Sequence, residues 1–331
     1  MHLHGHGVGQ RLLVAAALAF GLAATADAQT ANYPDRPIKI IVGFAAGGGT
    51  DVAARILAQK LSEGIGQSVV VENRPGASGL IGADAVAKAT PDGYTLMMGT
   101  QTTLAVAPIL YPKNAIDPAR DFAGVGLSGI SPLVLTTNPS LPVKSVAELI
   151  ALAKQKPGAI NFGSGGVGTT PHMAGELFAY TAGISMVHVA YRGEAPALND
   201  LIGGQLQVMF PNLSACIGNV RAGTLRALAV TSKERSASAP DIPTIAESGI
   251  PDFEAATWFG LVAPAGTPRD ILGKLNGIVK RMGSEADVQR RFAELGMMTS
   301  SSSPEELDAY IKSETAKWAK VIKDAGIKPQ E

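Results

Sequence analysis

The sequence predicts an α/β protein of two lobes, each a mixed sheet flanked by helices, and three observations lead there. Short β-branched runs alternate with stretches of helical periodicity along nearly the whole chain. The alternation falls into two sets, parted by a change of texture near residue 121 and a proline-rich connector at 231–252. The length, 331 residues, is ample for two cores. One set is inserted into the other, so the chain crosses between lobes more than once, and the cleft between them is the natural ligand site.

Taken in order, the first 28 residues read as a signal segment. Arg11 supplies a weakly positive start, residues 12–24 an apolar core too short to span a bilayer, and Ala26-Asp-Ala28 a small-residue cleavage site. An exported chain beginning near Gln29 is therefore expected. Ile38-Lys-Ile-Ile-Val42 is a buried strand, and residues 52–61 carry Val52, Ile56, Leu57 and Leu61 on one helical face. Ser68-Val-Val-Val-Glu72 and Tyr94-Thr-Leu-Met-Met98 are further strands, with a helix at 80–88 between them. In an open parallel sheet their ends share one ligand-binding rim.

The run 125–137, broken by Pro132, reads as a strand leaving the first lobe. Ser145-Val-Ala-Glu148 opens a helix with a capping-box pattern. Strands at 159–162, 186–191, 205–210 and 225–231 then alternate with helices at 171–182, 194–202 and 213–221. An apolar strand at 253–262 returns to the first lobe, and three helical segments follow. Two of these begin at Thr267-Pro268 and Ser303-Pro304-Glu-Glu306, which place proline at the first helical position. The expected division is 29–128 with 254–331 for lobe 1, and 129–253 for lobe 2.

Composition narrows the function. Lys plus Arg number 28 and Asp plus Glu number 28, so no net charge favours nucleic acid or an anionic membrane, and any anion site must be local. Beyond the expected signal segment only His172, His188 and Cys216 remain as soft ligands. Neither a disulfide nor a zinc site is expected, and no cofactor.

Two glycine-rich turns could hold an anion. Gly43-Phe-Ala-Ala-Gly-Gly-Gly-Thr-Asp51 joins the first strand to the first helix, where free backbone N–H groups and the helix dipole attract negative charge. The plainer account is a tight turn with Thr50 or Asp51 as the helix cap. Asp51 would repel an anion unless it caps its helix or holds a ligand amine or a water. The second turn, Asn161-Phe-Gly-Ser-Gly-Gly-Val-Gly-Thr-Thr-Pro-His172, offers the hydroxyls of Ser164, Thr169 and Thr170, and a His172 better suited to be a neutral donor than a charge clamp. Arg192 ends a later strand and can reach the same rim; its plainer role is an exposed charge paired with Glu194 or solvent.

Enzyme readings find less support. The second turn matches a dinucleotide fingerprint, yet Tyr191-Arg192 stands where an acidic residue would read NAD, leaving NADP as the version to consider. Ser78 and Ser164 each lack one glycine of a nucleophile elbow, and the position after Gly48 is Gly49, not the lysine of a phosphate loop.

Beyond single motifs, the chain resembles the Bug family, the periplasmic solute-binding proteins of tripartite tricarboxylate transporters. The resemblance rests on Tyr33-Pro-x-x-Pro-Ile, Gly47-Gly-x-Thr-Asp51, Val69-Val-Val-Glu-Asn-Arg-Pro-Gly-Ala77, Pro91-Asp-Gly-Tyr-Thr-Leu96, the 163–172 loop, His188-Val-x-Tyr-Arg-Gly193, Leu225-Arg-Ala-Leu-Ala-Val-Thr231 and Trp258-Phe-Gly-Leu-x-Ala-Pro-Ala-Gly-Thr-Pro268. It implies a type II periplasmic-binding fold, a non-enzymatic monomer in the periplasm, and membrane permease subunits as partners. It also implies that Phe44, Ala46, Gly47, Gly48, Thr50 and Asp51 grip a ligand carboxylate together with Ser164, Gly165, Thr169, Thr170 and His172. Ser78, Thr100 and Thr102 would line the first lobe, and Arg192, Pro211 and Asn212 the second. Gly43, Ala190 and Pro211 depart from the family pattern. Pro211 stands where Asp is frequent, which removes an acceptor and favours a plain di- or tricarboxylate or an aromatic acid over an amino acid. A ligand-loaded co-sensor is the alternative role.

Overall fold

The computed structural model describes residues 33–113 and 116–330; the expected signal segment lies outside them. Two mixed sheets organise the chain. The first holds β1 (Ile38–Val42), β2 (Val69–Asn73), β3 (Thr95–Thr100), β4 (Phe122–Pro132), β10 (Ala256–Pro264) and β11 (Met298–Thr299), in the order β11-β4-β10-β3-β1-β2. β1 pairs in parallel with β2 and β3, whereas β10 runs antiparallel to β3 and β4. Helices cover both faces. Ile38, Ile40 and Val42 enter one core cluster and Ile41 another, which is why β1 reads as an unbroken apolar run.

The second sheet contains β5 (Val134–Thr137), β6 (Asn161–Ser164), β7 (Val187–Ala190), β8 (Val208–Met209) and β9 (Arg226–Val230), ordered β7-β6-β8-β5-β9. Among the described residues, eleven α-helical segments connect the strands. Those that matter for the site are α1 (Gly49–Ile65), α6 (Thr170–Ala182), α7 (Glu194–Ile202) and α8 (Leu213–Arg221). Near the C-terminus lie α9 (Arg269–Ser284) and α11 (Pro304–Asp324).

The chain changes sheets at Leu133, because β4 stays in the first sheet as far as Pro132; residue 128 therefore falls inside a strand. It returns between Val230 and Ala256. Thr231 stitches the two crossings together. Its Oγ1 accepts from Leu133 N–H at 2.9 Å and donates to Ala255 O at 2.6 Å, while its own N–H reaches Leu133 O at 2.9 Å.

A third link is α11. Ser303 and Glu306 form the expected reciprocal capping box at its start. Its Leu307 and Ile311 pack with the first lobe's Trp258, whereas Trp318 and Ile322 pack with core residues of the second. Between them the buried Glu314 accepts from both tryptophans, Trp258 Nε1 at 3.2 Å and Trp318 Nε1 at 3.0 Å. At α9 the expected cap is different. The helix starts one residue later, with Pro268 in the cap position, because Thr267 turns its hydroxyl back to Pro264 O at 2.8 Å.

The shared carboxylate makes a direct test of the link. Glu314→Ala leaves two buried indole N–H groups without an acceptor and should cost about 2–4 kcal/mol in urea unfolding. A loss below about 0.5 kcal/mol would mean that packing alone holds α11.

Candidate functional site

At the end of β1 the chain turns through residues 43–48 into α1. Gly47 takes a positive φ of 87°, and Gly48 sits in the cap position without any side-chain cap. Asp51, the third helical residue, is buried and folds back over this loop. Its Oδ2 accepts Gly47 N–H and Arg55 Nε, both at 2.9 Å; its Oδ1 accepts Asn73 Nδ2 at 2.9 Å. The same Asn73 amide donates to Phe44 O at 3.0 Å. Asp51 is therefore a clasp on the loop rather than a helix cap. Burial raises its pKa, but the bonds from Arg55, Gly47 and Asn73 outweigh that effect and hold it below the usual carboxylate value. With its charge matched in this way, the N–H groups of Gly49, Thr50 and Asp51 in the first turn remain without partners among the described residues.

The second glycine-rich turn differs. Thr169 caps α6 by accepting His172 N–H at 3.5 Å, Pro171 has no N–H, and Thr170 N–H donates across the lobes to Thr102 Oγ1 at 3.1 Å. Thr170 Oγ1 in turn donates to Gln101 Oε1 at 2.7 Å. The first turn of α6 is thus filled by protein groups. Gly168, at a φ of 80°, passes so close to Leu110 that a β-carbon would lie 2.9 Å from Cδ1, and its N–H donates to His172 Nδ1 at 3.0 Å. That bond fixes the tautomer of His172 with its proton on Nε2, which faces Glu176 at 3.4 Å. Beside it lies His188, its ring tilted by 36° at 4.0 Å between centroids, and its Nε2 lies 2.7 Å from Ser164 Oγ. Burial, with the neighbouring His172, pushes His188 down to about 3, so it is neutral at physiological pH. Ser164 is fully buried and also bonds Gly166. No carboxylate supports His188 among the described residues, so this pair lacks the access and polarisation of a nucleophile.

A third strand-to-helix turn faces the first. Asn212 occupies the cap position of α8, yet its side chain caps nothing. Instead its N–H donates to Glu194 Oε1 at 2.6 Å and its Nδ2 to both Glu194 oxygens at 3.1 Å. Asn212 Oδ1 and Ser214 Oγ are left buried and without partners. A β-carbon on Gly49 would lie 3.3 Å from Ser214 Oγ and 3.9 Å from Asn212 Cγ. The first turns of α1 and α8 therefore meet across the lobes. Burial raises the pKa of Glu194 against the opposing effect of Asn212.

The other expected site residues take up varied positions. Ser78 Oγ donates across the lobes to Val167 O at 2.7 Å, and Thr100 Oγ1 accepts from Thr103 N–H at 3.4 Å. Thr50 is half-buried in the first turn of α1, and Ala46 is exposed. Gly165 packs on the start of α7, where a β-carbon would meet Glu194 N at 3.0 Å. Pro211 is buried, its carbonyl accepting Val134 N–H at 2.9 Å. Arg192 is exposed, and Glu194 bonds Asn212 in place of the arginine. Sequence reasoning passed over Ser214 and Gln101. The available signal for Ser214 was the strand-to-helix turn at 210–214, which lacks glycine.

Two shallow concavities of about 280 and 260 Å³ lie elsewhere, lined by Leu127, Ser302 and Tyr310 in one case and by Glu176, Tyr180 and Asp324 in the other. Among the described residues no group of three His, Cys, Asp or Glu is placed to hold a metal ion. No described helix is long and apolar enough to cross a membrane.

Two lobes with helix N-termini meeting at their junction define a binding protein of the two-lobed periplasmic class. The comparisons with known proteins place it more closely. Residues 53–327 match TctC, the tripartite tricarboxylate transporter family receptor. BugT of Bordetella pertussis is 40% identical over 309 residues, spanning 93% of this chain and 94% of that protein. Among solved structures, R. palustris Rpa4515 with adipate has a TM-score of 0.86 at 39% identity, covering 90% of this chain and 100% of that one. MatC (Rpa3494) from Rhodopseudomonas palustris with bound malate has a TM-score of 0.81 at 32% identity, covering 88% and 100%. The chain belongs to this family of Bug-type solute-binding proteins, which are not enzymes.

The clasp predicts a pH dependence. Because the folded pKa of Asp51 lies below its unfolded value of 3.8, its stabilisation is complete above that value and is lost as pH falls through the folded pKa. Asp51→Asn should destabilise by about 1–3 kcal/mol at pH 7 and progressively less as pH falls below about 4 in chemical denaturation. A deficit independent of pH would contradict this role for the charge.

Proposed function

We propose that this chain captures a small di- or tricarboxylate between its lobes, in the periplasm, and hands it to the membrane subunits of a tripartite tricarboxylate transporter. The observation that carries the reading is the junction of α1 and α8. Three unpartnered N–H groups in one first turn meet a second helix start at which two side-chain oxygens, Asn212 Oδ1 and Ser214 Oγ, are buried and unpaired. Such a place binds an oxyanion through backbone donors and aligned dipoles without needing a fixed cation. Two relatives of the same fold carry adipate and malate, both dicarboxylates. The matched charge of Asp51 removes the repulsion that would otherwise weaken the site, and the loop it clasps is preorganised.

Closure follows from the same architecture. The crossings tied at Thr231 can act as a hinge, so a ligand that bridges α1 and α8 favours the closed arrangement by the affinity it has for that arrangement alone. The direct bonds from Ser78 to Val167 and from Thr170 to Thr102 add to closure without the ligand.

A thermal-shift series with organic acids tests the ligand class. A bound acid at about 100 times its Kd adds roughly 2.7 kcal/mol of apparent stability, whereas no response to any carboxylate would remove the proposal. Gly48 supplies the matching variant. Its φ of −80° suits any residue, and a β-carbon there has nothing closer than Ala45 O at 3.9 Å. Gly48→Val should fold, at a cost of about 1 kcal/mol for the poorer cap residue. It should nevertheless weaken acid binding by about tenfold or more, because the branched side chain stands over the α1 donors. Unchanged affinity would mean that this turn is structural.

A further inference from the structure

We propose that Asn212 selects for acids that carry a hydroxyl group beside the bound carboxylate, with Glu194 as the positioning residue. The inference rests on the carboxylate reading above and concerns one atom, Asn212 Oδ1. Asn212 is 8% exposed, and that oxygen is buried without a partner. Its orientation is not interchangeable with that of the amide nitrogen. Nδ2 donates to both oxygens of Glu194 at 3.1 Å, and a flipped amide would set three oxygens against one another. The backbone N–H of Asn212, 2.6 Å from Glu194 Oε1, holds the same carboxylate from a second direction. Glu194 thus fixes which end of the amide is the free acceptor, on a side chain whose Cγ would lie 3.9 Å from a β-carbon on Gly49 in the first turn of α1.

The result is a free acceptor on a side chain that packs beside an array of donors. The N–H groups of Gly49, Thr50 and Asp51 suit a carboxylate, which can only accept. Asn212 Oδ1 needs a donor, and a second carboxylate oxygen placed there would be repelled. A hydroxyl on the carbon next to the bound carboxylate meets both demands at once, and Ser214 Oγ, also buried and unpartnered, can take either role. An ammonium group would also donate, but no free carboxylate awaits it. Asp51 is occupied by Arg55, Gly47 and Asn73, and Glu194 by Asn212. The neutral acceptor points to 2-hydroxy acids.

Two pairs of acids differing only in that hydroxyl, malate with succinate and 2-hydroxyadipate with adipate, test the proposal by titration calorimetry. In at least one pair the hydroxy acid should bind about tenfold tighter or more, since its partner leaves the buried acceptor unpaired. Asn212→Leu removes the acceptor, and Glu194→Gln lets the amide turn either way. Both variants should bring the ratio to within about threefold while the affinity for the plain acid changes less. Should Asn212→Leu fail to fold, Glu194→Gln alone decides, with the ratio as its readout. Equal binding of both members of each pair overturns the proposal and leaves the carboxylate reading standing. So does a ratio untouched in the variants, or aspartate binding tighter than malate. Binding of no acid at all overturns both.

Discussion

The first turn of an α-helix carries N–H groups that its own backbone cannot satisfy, and this protein is arranged around how those groups are met. In α6 the chain meets them itself. Thr169 caps from within, Pro171 removes one donor, and Thr102 reaches over from the other lobe for Thr170. In α1 it does not. Gly48 brings no side chain to the cap position, and Asp51, which might have supplied one, is turned back to hold Gly47 and Asn73. One helix start serves to join the lobes, and the other leaves its donors open.

That division depends on the lobes meeting in a defined register. Thr231 ties the crossing at Leu133 to the one ending at Ala255, and α11 spans both lobes, its Glu314 accepting from Trp258 of the first lobe and from Trp318 one turn along the same helix. The donors of α1 therefore approach α8 along a restricted path, and the ligand proposed at their junction would be recognised by shape and hydrogen bonds rather than by net charge. This fits a chain with 28 basic and 28 acidic residues, in which a strong local cation is not needed to attract an acid.

Much of the fold was legible because its signals are local. The helices at 194–202 and 213–221 fall on the residues their periodicity indicates, and Ser303 with Glu306 marks the start of α11 as its pattern requires. Local signals also mislead where a distant group intervenes. Residues 205–210 read as one strand, but Gln205 and Leu206 bond back to Asp200 and only Val208–Met209 joins the sheet. The site shows the same limit. Glycines mark out residues 43–51 and 163–172, and the first of these turns does present open donors. By residue type the hydroxyls of the 163–172 turn are equally available, yet Gln101, 69 residues from Thr170, and the half-buried His188 engage them. Asn212 and Ser214 sit in a turn without glycine, and the bond that orients Asn212 comes from Glu194, 18 residues earlier. Periodicity carries no record of such pairings.

The central claim is that the backbone N–H groups at the start of α1 hold the ligand, and amide hydrogen exchange reads those groups one by one. Addition of a saturating acid should slow exchange at Gly49, Thr50 and Asp51 by an order of magnitude or more, while Thr170 and His172, already bonded within the protein, change little. Protection that appears elsewhere in a fully bound protein, with these three amides exchanging as before, would contradict the account.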